Sequence, residues 1–157
     1  MDTSHIENTR RHIRRFRDSD KDEVVGVWYR SGKAAYTFLP TWQALTLEQA
    51  YWVFENIIRP KCKIWVGILD EHIVAYLAMN ESFIDRLYVD PPEWHKGWGS
   101  QLITLAKKLS PSGLELYTHQ ENYGARVFYE HHGFKPVKFG TSPPPESAPD
   151  VEYHWRP

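Results

Sequence analysis

The stretch Ile84–Leu105, IDRLYVDPPEWHKGWGSQLITL, decides how the rest of the chain is read. Ile84 to Val89 has the β-branched and aromatic content of a strand. Pro91 and Pro92 end it, because proline has no N–H to give a sheet ladder. Gly97-Trp98-Gly99-Ser100 follows. Two glycines one residue apart permit positive φ and let another molecule come close to the backbone. Leu102, Leu105, Ala106 and Leu109 then recur on one helical face. A strand, a glycine loop and a helix start present free backbone N–H groups at the positive end of a helix dipole. Phosphate or pyrophosphate suits such a place. The stretch holds neither Gly-x4-Gly-Lys-Ser/Thr nor a complete Gly-x-Gly-x-x-Gly, so neither a P-loop nor the dinucleotide fingerprint is present. Taken alone, the loop reads more simply as a turn from strand to helix.

A second stretch, Asn122–Phe134 (NYGARVFYEHHGF), changes the reading. Asn122 is a good helix N-cap. Ala125, Phe128 and Tyr129 share a face, and Gly133 stands where a helix C-terminus wants glycine. Periodicity by itself describes a short amphipathic helix with a core tyrosine.

The two stretches together resemble the GNAT superfamily of N-acetyltransferases. The first resembles its acetyl-CoA pyrophosphate loop, Gln/Arg-x-x-Gly-x-Gly/Ala, with Trp94 where Gln or Arg is usual. The second resembles Asn-x-x-Ala-x-x-Phe/Leu-Tyr-x-x-x-Gly-Phe at every position. The resemblance runs from about Ile13 to the end of the chain and is most specific between Ile84 and Phe134. It implies an acyltransferase that moves an acetyl group from acetyl-CoA to a primary amine by direct attack in a ternary complex, with no metal. It also implies that Leu87, Tyr88 and Val89 line the pantetheine arm. His95, Lys96, Gly97, Trp98, Gly99 and Ser100 would hold the pyrophosphate. Asn122 would contact the cofactor, and Tyr129 would both contact it and protonate the departing thiolate.

Length and composition bound the remaining choices. One N-acetyltransferase domain over 1–157 is the natural count for 157 residues, with 1–10 loose. A formal charge of −1 gives no pull toward nucleic acid or anionic membrane. A single cysteine, Cys62, excludes an internal disulfide and suits a reducing, cytoplasmic setting. Neither a signal peptide nor an apolar segment of membrane-spanning length is read. A homodimer is left open.

The elements follow from pattern. His12–Arg17 alternates as a first strand. Its arginines read as a solvated edge, or, against the neutral charge, as a nucleic-acid arm. Ser19–Asp22 resembles a capping box for a helix to about Gly32, and Thr46 with Gln49 forms another for a helix ended by Pro60. Lys63–Leu69 and Ile73–Met79 read as a hairpin, followed by the strand at Ile84 and the long helix. Leu114–Thr118, the Asn122 helix, Val137–Phe139 and Val151–Trp155 complete the order βααβββαβαββ. This α/β (α+β) pattern implies a mixed, mostly antiparallel GNAT-like sheet of about seven strands with helices on both faces.

The amine also needs a base. The position five before Asn122, which carries Glu in some family members, is Tyr117. Asp85 is the first substitute, two residues before Leu87 and so on the same face. His119 is the second, suited by the ordinary imidazole range. Glu81, Glu115 and a water chain are further alternatives. The acceptor would lie between the segment holding Tyr36, Phe38 and Trp42 and the proline-rich loop Ser142–Pro149. Those aromatics equally suit packing between helices. A catalytically silent acyl-CoA-binding module remains the alternative of another class, and a scaffold or nucleic-acid-binding protein the lesser one.

Overall fold

The computed structural model describes residues 10–157. Seven strands form one sheet: β1 Arg11–Arg15, β2 Lys63–Leu69, β3 His72–Asn80, β4 Phe83–Val89, β5 Leu114–His119, β6 Lys135–Thr141 and β7 Pro149–Trp155. Their order across the sheet is β1-β2-β3-β4-β5-β7-β6. Every neighbouring pair is antiparallel except β4 and β5. The mixed, mostly antiparallel sheet read from the pattern is therefore the one observed.

Alternation along β3 divides the core. Tyr76 and Ala78 face one way, and Leu77 and Met79 the other. The first face is covered by α1, Lys21–Ala35, and by α3, Leu47–Val53, which runs on through a wider turn at Phe54–Ile58. Val24, Val27, Trp28, Ala50, Phe54 and Ile58 fill that layer. The second face is covered by α4, Trp98–Leu109, and α5, Tyr123–His131. Trp98, Leu102, Ile103, Ala106 and Tyr129 pack there. A one-turn helix, α2 at Pro40–Gln43, lies in the segment that shows no periodicity.

Local signals succeed where the partners are near in sequence. Thr46 Oγ1 accepts from Gln49 N–H at 3.1 Å, and Gln49 Oε1 accepts from Thr46 N–H at 2.9 Å, which is the expected capping box. The box read at Ser19 does not form. Instead Asp20 accepts the Arg17 N–H at 2.8 Å and two hydrogen bonds from Arg14 at 2.7 and 2.9 Å. The carboxylate is drawn to a guanidinium on β1, a stronger partner than the helix start. The first helix also continues to Ala35, past the expected Gly32. The expectation that residues 1–10 are loose falls outside the described residues for 1–9. Arg10 itself is tied down, accepting the Asp70 N–H at 3.2 Å.

Candidate active site

β4 and β5 pair only at Phe83 and Glu115. Beyond that point they separate and leave a cleft of about 820 Å³ that opens toward both faces of the sheet. The Asp90 N–H donates to Val74 O at 2.7 Å. Because ladder bonds alternate along a strand, the Leu87 and Val89 N–H groups face the opposite edge, toward the gap. That edge is a run of backbone donors and acceptors with no strand paired to it among the described residues.

The glycine loop closes one end of the cleft. Gly97 has φ +87°, a left-handed conformation that a side chain would strain, and it begins α4. A Cβ on Gly99 would stand 2.9 Å from the Phe128 ring on α5, so the two helices can approach here only over a glycine. The loop residues divide by role. Gly97, Gly99, Ser100 and His95 line the cleft. Trp98 lines it too, yet its indole is 1% exposed and packs over Gly67 of β2, anchoring the loop from below. Lys96 is turned to Glu93 Oε2 at 3.3 Å on the exposed side and does not line the cleft. Trp94 spends its indole N–H on Val89 O at 2.6 Å and so leaves no side-chain donor for a phosphate. The site that remains is made of backbone N–H groups and glycines, which suits a pyrophosphate and the extended amide chain behind it.

Tyr129 reaches the cleft from α5. Its hydroxyl makes no hydrogen bond among the described residues. Burial, then proximity to Tyr88, pushes its pKa far above the usual phenol range, so it stays protonated and can donate. Asn122 caps α5 by accepting from the Ala125 N–H at 3.2 Å and lines the cleft.

Asp85 does not occupy the face expected of it. The register between β3 and β4 shifts between Ala78, opposite Arg86, and Met79, opposite Ile84. Asp85 is the extra residue of a bulge, which breaks the period of two. Ile84 and Leu87, three apart, accordingly share the second core. Asp85 lines the cleft but binds Lys61 at 3.1 Å.

A second hollow of about 580 Å³ adjoins the cleft and shares Tyr36, Tyr88, Tyr117 and Thr118 with it. His119, Glu146, Asp150, Glu152 and Lys138 complete its charged lining. His119 Nε2 lies 3.4 Å from Glu146 Oε1, while its enclosed Nδ1 has no partner among the described residues. Its ring packs against Tyr36 and Phe38, with centroids 5.0 and 5.9 Å apart. Glu152 is held below the usual carboxylate range, first by His154 and then by the Tyr117 hydroxyl.

Of the three aromatics expected to wall the acceptor, Tyr36 lines both hollows, whereas Phe38 lines neither and packs behind, against Tyr36 and His119. Trp42 is corrected: it is 8% exposed and sits edge-on to Trp28, with centroids 4.9 Å apart, in the space left by Gly32. Missed from the sequence were Glu146, Arg86 and the Tyr36–Tyr88 contact. Nothing local marks them, since each depends on segments brought together by the fold.

Comparison with known proteins agrees with this arrangement. The model of the acetyltransferase (GNAT) domain matches residues 60–136. The chain is 30% identical over 125 residues to peptidyl-lysine N-acetyltransferase YjaB of Salmonella typhimurium, covering 79% of this chain and 83% of that protein. The YjaB of Escherichia coli K12 is 29% identical over 124 residues, covering 78% and 81%. The solution structure of apo YjaB from Escherichia coli superposes with a TM-score of 0.73 at 25% identity, over 92% of this chain and 97% of that one. The PaiA N-acetyltransferase of Thermoplasma acidophilum, solved with coenzyme A, shares the fold at a TM-score of 0.70 and 19% identity, over 94% and 99%. With both signature stretches on one divided sheet, and a relative this similar over most of both chains, this protein belongs to the GNAT family of acetyltransferases.

Proposed function

We propose that this acyltransferase moves an acetyl group from acetyl-CoA to a primary amine by direct attack while both are bound. The observation that carries the reading is the gap between β4 and β5, flanked by the Gly97–Gly99 loop at one end and the unbonded Tyr129 hydroxyl within. Acetyl-CoA supplies the activated thioester. The unpaired edge of β4 orients its amide chain, and the Leu87 and Val89 N–H groups face the zone where a carbonyl oxygen gains charge. Tyr129, kept protonated by burial, donates toward the sulfur.

The amine enters from the second hollow. Glu146, Asp150 and Glu152 there favour a cation over a neutral or anionic partner. An ammonium has no lone pair and must lose a proton before it can attack. His119, oriented by Glu146, is the base this geometry favours over Asp85, whose carboxylate already holds Lys61. Tyr36, backed by Phe38, bounds the amine's path. YjaB is a peptidyl-lysine acetyltransferase by name, and a lysine side chain belongs to the class of acceptor that this hollow suits. One domain over 1–157 and a cytoplasmic setting, suggested by the free Cys62, complete the reading.

The experiment is calorimetric titration with acetyl-CoA of the native chain and of Gly99→Glu, followed by thiol-release assays over a panel of primary amines. Binding by the native chain alone, followed by turnover, supports the reading. Binding without turnover of any amine would reduce the protein to an acyl-CoA-binding module, and no binding would end the reading.

A further inference from the structure

The cleft contains a cation that has no ion-pair partner among the described residues. Arg86 projects from β4 toward the first face, its guanidinium carbon 3.8 Å from the centre of the Trp28 ring. It lines the cleft beside Ser31 and Tyr88. Its Nη1 is enclosed and makes no hydrogen bond of proper geometry among the described residues; the enclosed Tyr76 hydroxyl makes none either, although the guanidinium lies near enough to act on it. Among the described residues the guanidinium forms no ion pair. Its neighbour Asp85 is taken by Lys61 at 3.1 Å, so two cations face one anion at this wall. A partly buried charge in that condition is costly unless something binds it. A planar guanidinium held flat on an indole is preorganised for the two oxygens of a carboxylate.

Its position relates it to the reaction. Tyr88 is two residues further along the same strand and the same face, about 7 Å away at the usual strand rise. The Tyr88 hydroxyl meets that of Tyr36, and both lie beside Tyr129. A group bound at Arg86 therefore lies only a few bonds from an amine placed among these hydroxyls. Across the tyrosine pair the lining changes sign, with Glu146, Asp150 and Glu152 against Lys138. A positive wall on one side and a negative one on the other suit a molecule that carries both charges.

We propose that the acceptor bears a carboxylate within a few bonds of its reacting amine, and that Arg86 receives it. The proposal rests on the acetyl-transfer reading above. A free amino acid and a peptide whose N-terminal residue is acidic share this chemistry.

The test compares acceptors that differ only in the acid. L-lysine is set against cadaverine, L-phenylalanine against phenethylamine, and a peptide with an N-terminal Asp against its Asn counterpart. Each is assayed for thiol release, and each is titrated into the CoA-loaded protein, which reads binding without turnover. The acid-bearing member should be preferred by at least about tenfold in kcat/KM, the effect of a charged hydrogen-bonded pair. Arg86→Gln should abolish the preference, and Arg86→Lys should restore part of it, with the KM for acetyl-CoA unchanged. Preference within the first two pairs points to a free amino acid, and within the peptide pair to an acidic peptide. Equal handling of acid and non-acid members overturns the proposal. So does an equal loss for both in Arg86→Gln, or an absence of binding and turnover throughout. Where acetyl-CoA binds and an amine is turned over, those outcomes leave the transferase reading standing; failure of acetyl-CoA to bind, or of every amine to turn over, removes both. Should Arg86→Gln not fold, the wild-type comparison and Arg86→Lys, which keeps the stem over Trp28, decide.

Discussion

The hydroxyls of Tyr36, just past the end of α1, and Tyr88, on β4, meet at 3.1 Å where the two hollows join. Burial first, and then each other's company, keeps Tyr36 protonated well above the usual phenol range. Tyr129 is held neutral nearby by the same cause but has no bond to spend. The three hydroxyls are thus unequal, and substitution should show it. Tyr129→Phe should lower kcat by about a hundredfold, as removal of a proton donor does. Tyr36→Phe should cost about 1 kcal/mol of stability for the lost hydrogen bond. Steady-state rates and thermal melts of the two variants separate these roles; equal rate losses would contradict the assignment.

Gly99 tests the loop. A methyl at this position would stand 2.9 Å from the Phe128 ring. Gly99→Ala should push α4 and α5 apart and weaken acetyl-CoA binding by roughly tenfold while the protein stays folded. Gly99→Glu adds repulsion of a phosphate and should bring binding below detection. Titration calorimetry reads both, and unchanged affinity in either would place the cofactor elsewhere.

Trp42 should behave as a core residue. Trp42→Ala empties the space beside Gly32 and Trp28 and should cost about 3–5 kcal/mol. At a temperature where the variant is folded, the KM for the acceptor should not change. Chemical denaturation and a KM measured at low temperature check the two halves.

Asp20 gives a pH dependence of definite sign. The Arg14 hydrogen bond, chiefly, holds its carboxyl below the ordinary 3.8. A carboxyl lowered on folding contributes stability above its unfolded value. That contribution is lost as the pH falls from there through the lower folded value. Asp20→Asn should therefore destabilise the protein by about 2 kcal/mol at neutral pH and by progressively less below pH 4. Denaturation curves of both proteins across that range test it; a constant difference would refute it.

Cys62 should be sluggish toward thiol reagents. Burial, more than any charge, raises its thiol to about 11. Little thiolate exists at neutral pH, and the thiolate is the reactive form. The rate with a disulfide reagent should be well below that of the unfolded chain and should climb toward pH 11.

The elements that were legible depend on neighbours in sequence. Thr46 finds Gln49 three residues on, Pro91 ends β4, and Asn122 caps the helix that carries Tyr129. Such signals need only the local geometry of a turn or a strand, so the order of elements along the chain and the glycine loop between strand and helix could be read from the residues, while the mixed sheet came with the family resemblance. Asp85 marks where that reading stops. Its face follows from the pairing of β4 with β3, and a bulge there turns the carboxylate toward Lys61. Ser19 shows the same limit, because Arg14 on another element outcompetes a helix start for Asp20.

What the amino-acid sequence determined by itself was the family, the fold and the backbone loop that suits a pyrophosphate. Tertiary structure alone decided which charges line the two hollows. Arg86 has no ion-pair partner among the described residues because Lys61, from another segment, has taken Asp85, and Glu146 meets His119 because the proline-rich loop folds back over the end of β5. Local bonding constrains a few adjacent dihedral angles, whereas electrostatic complementarity is a property of distances between segments, which exist only once the chain has folded.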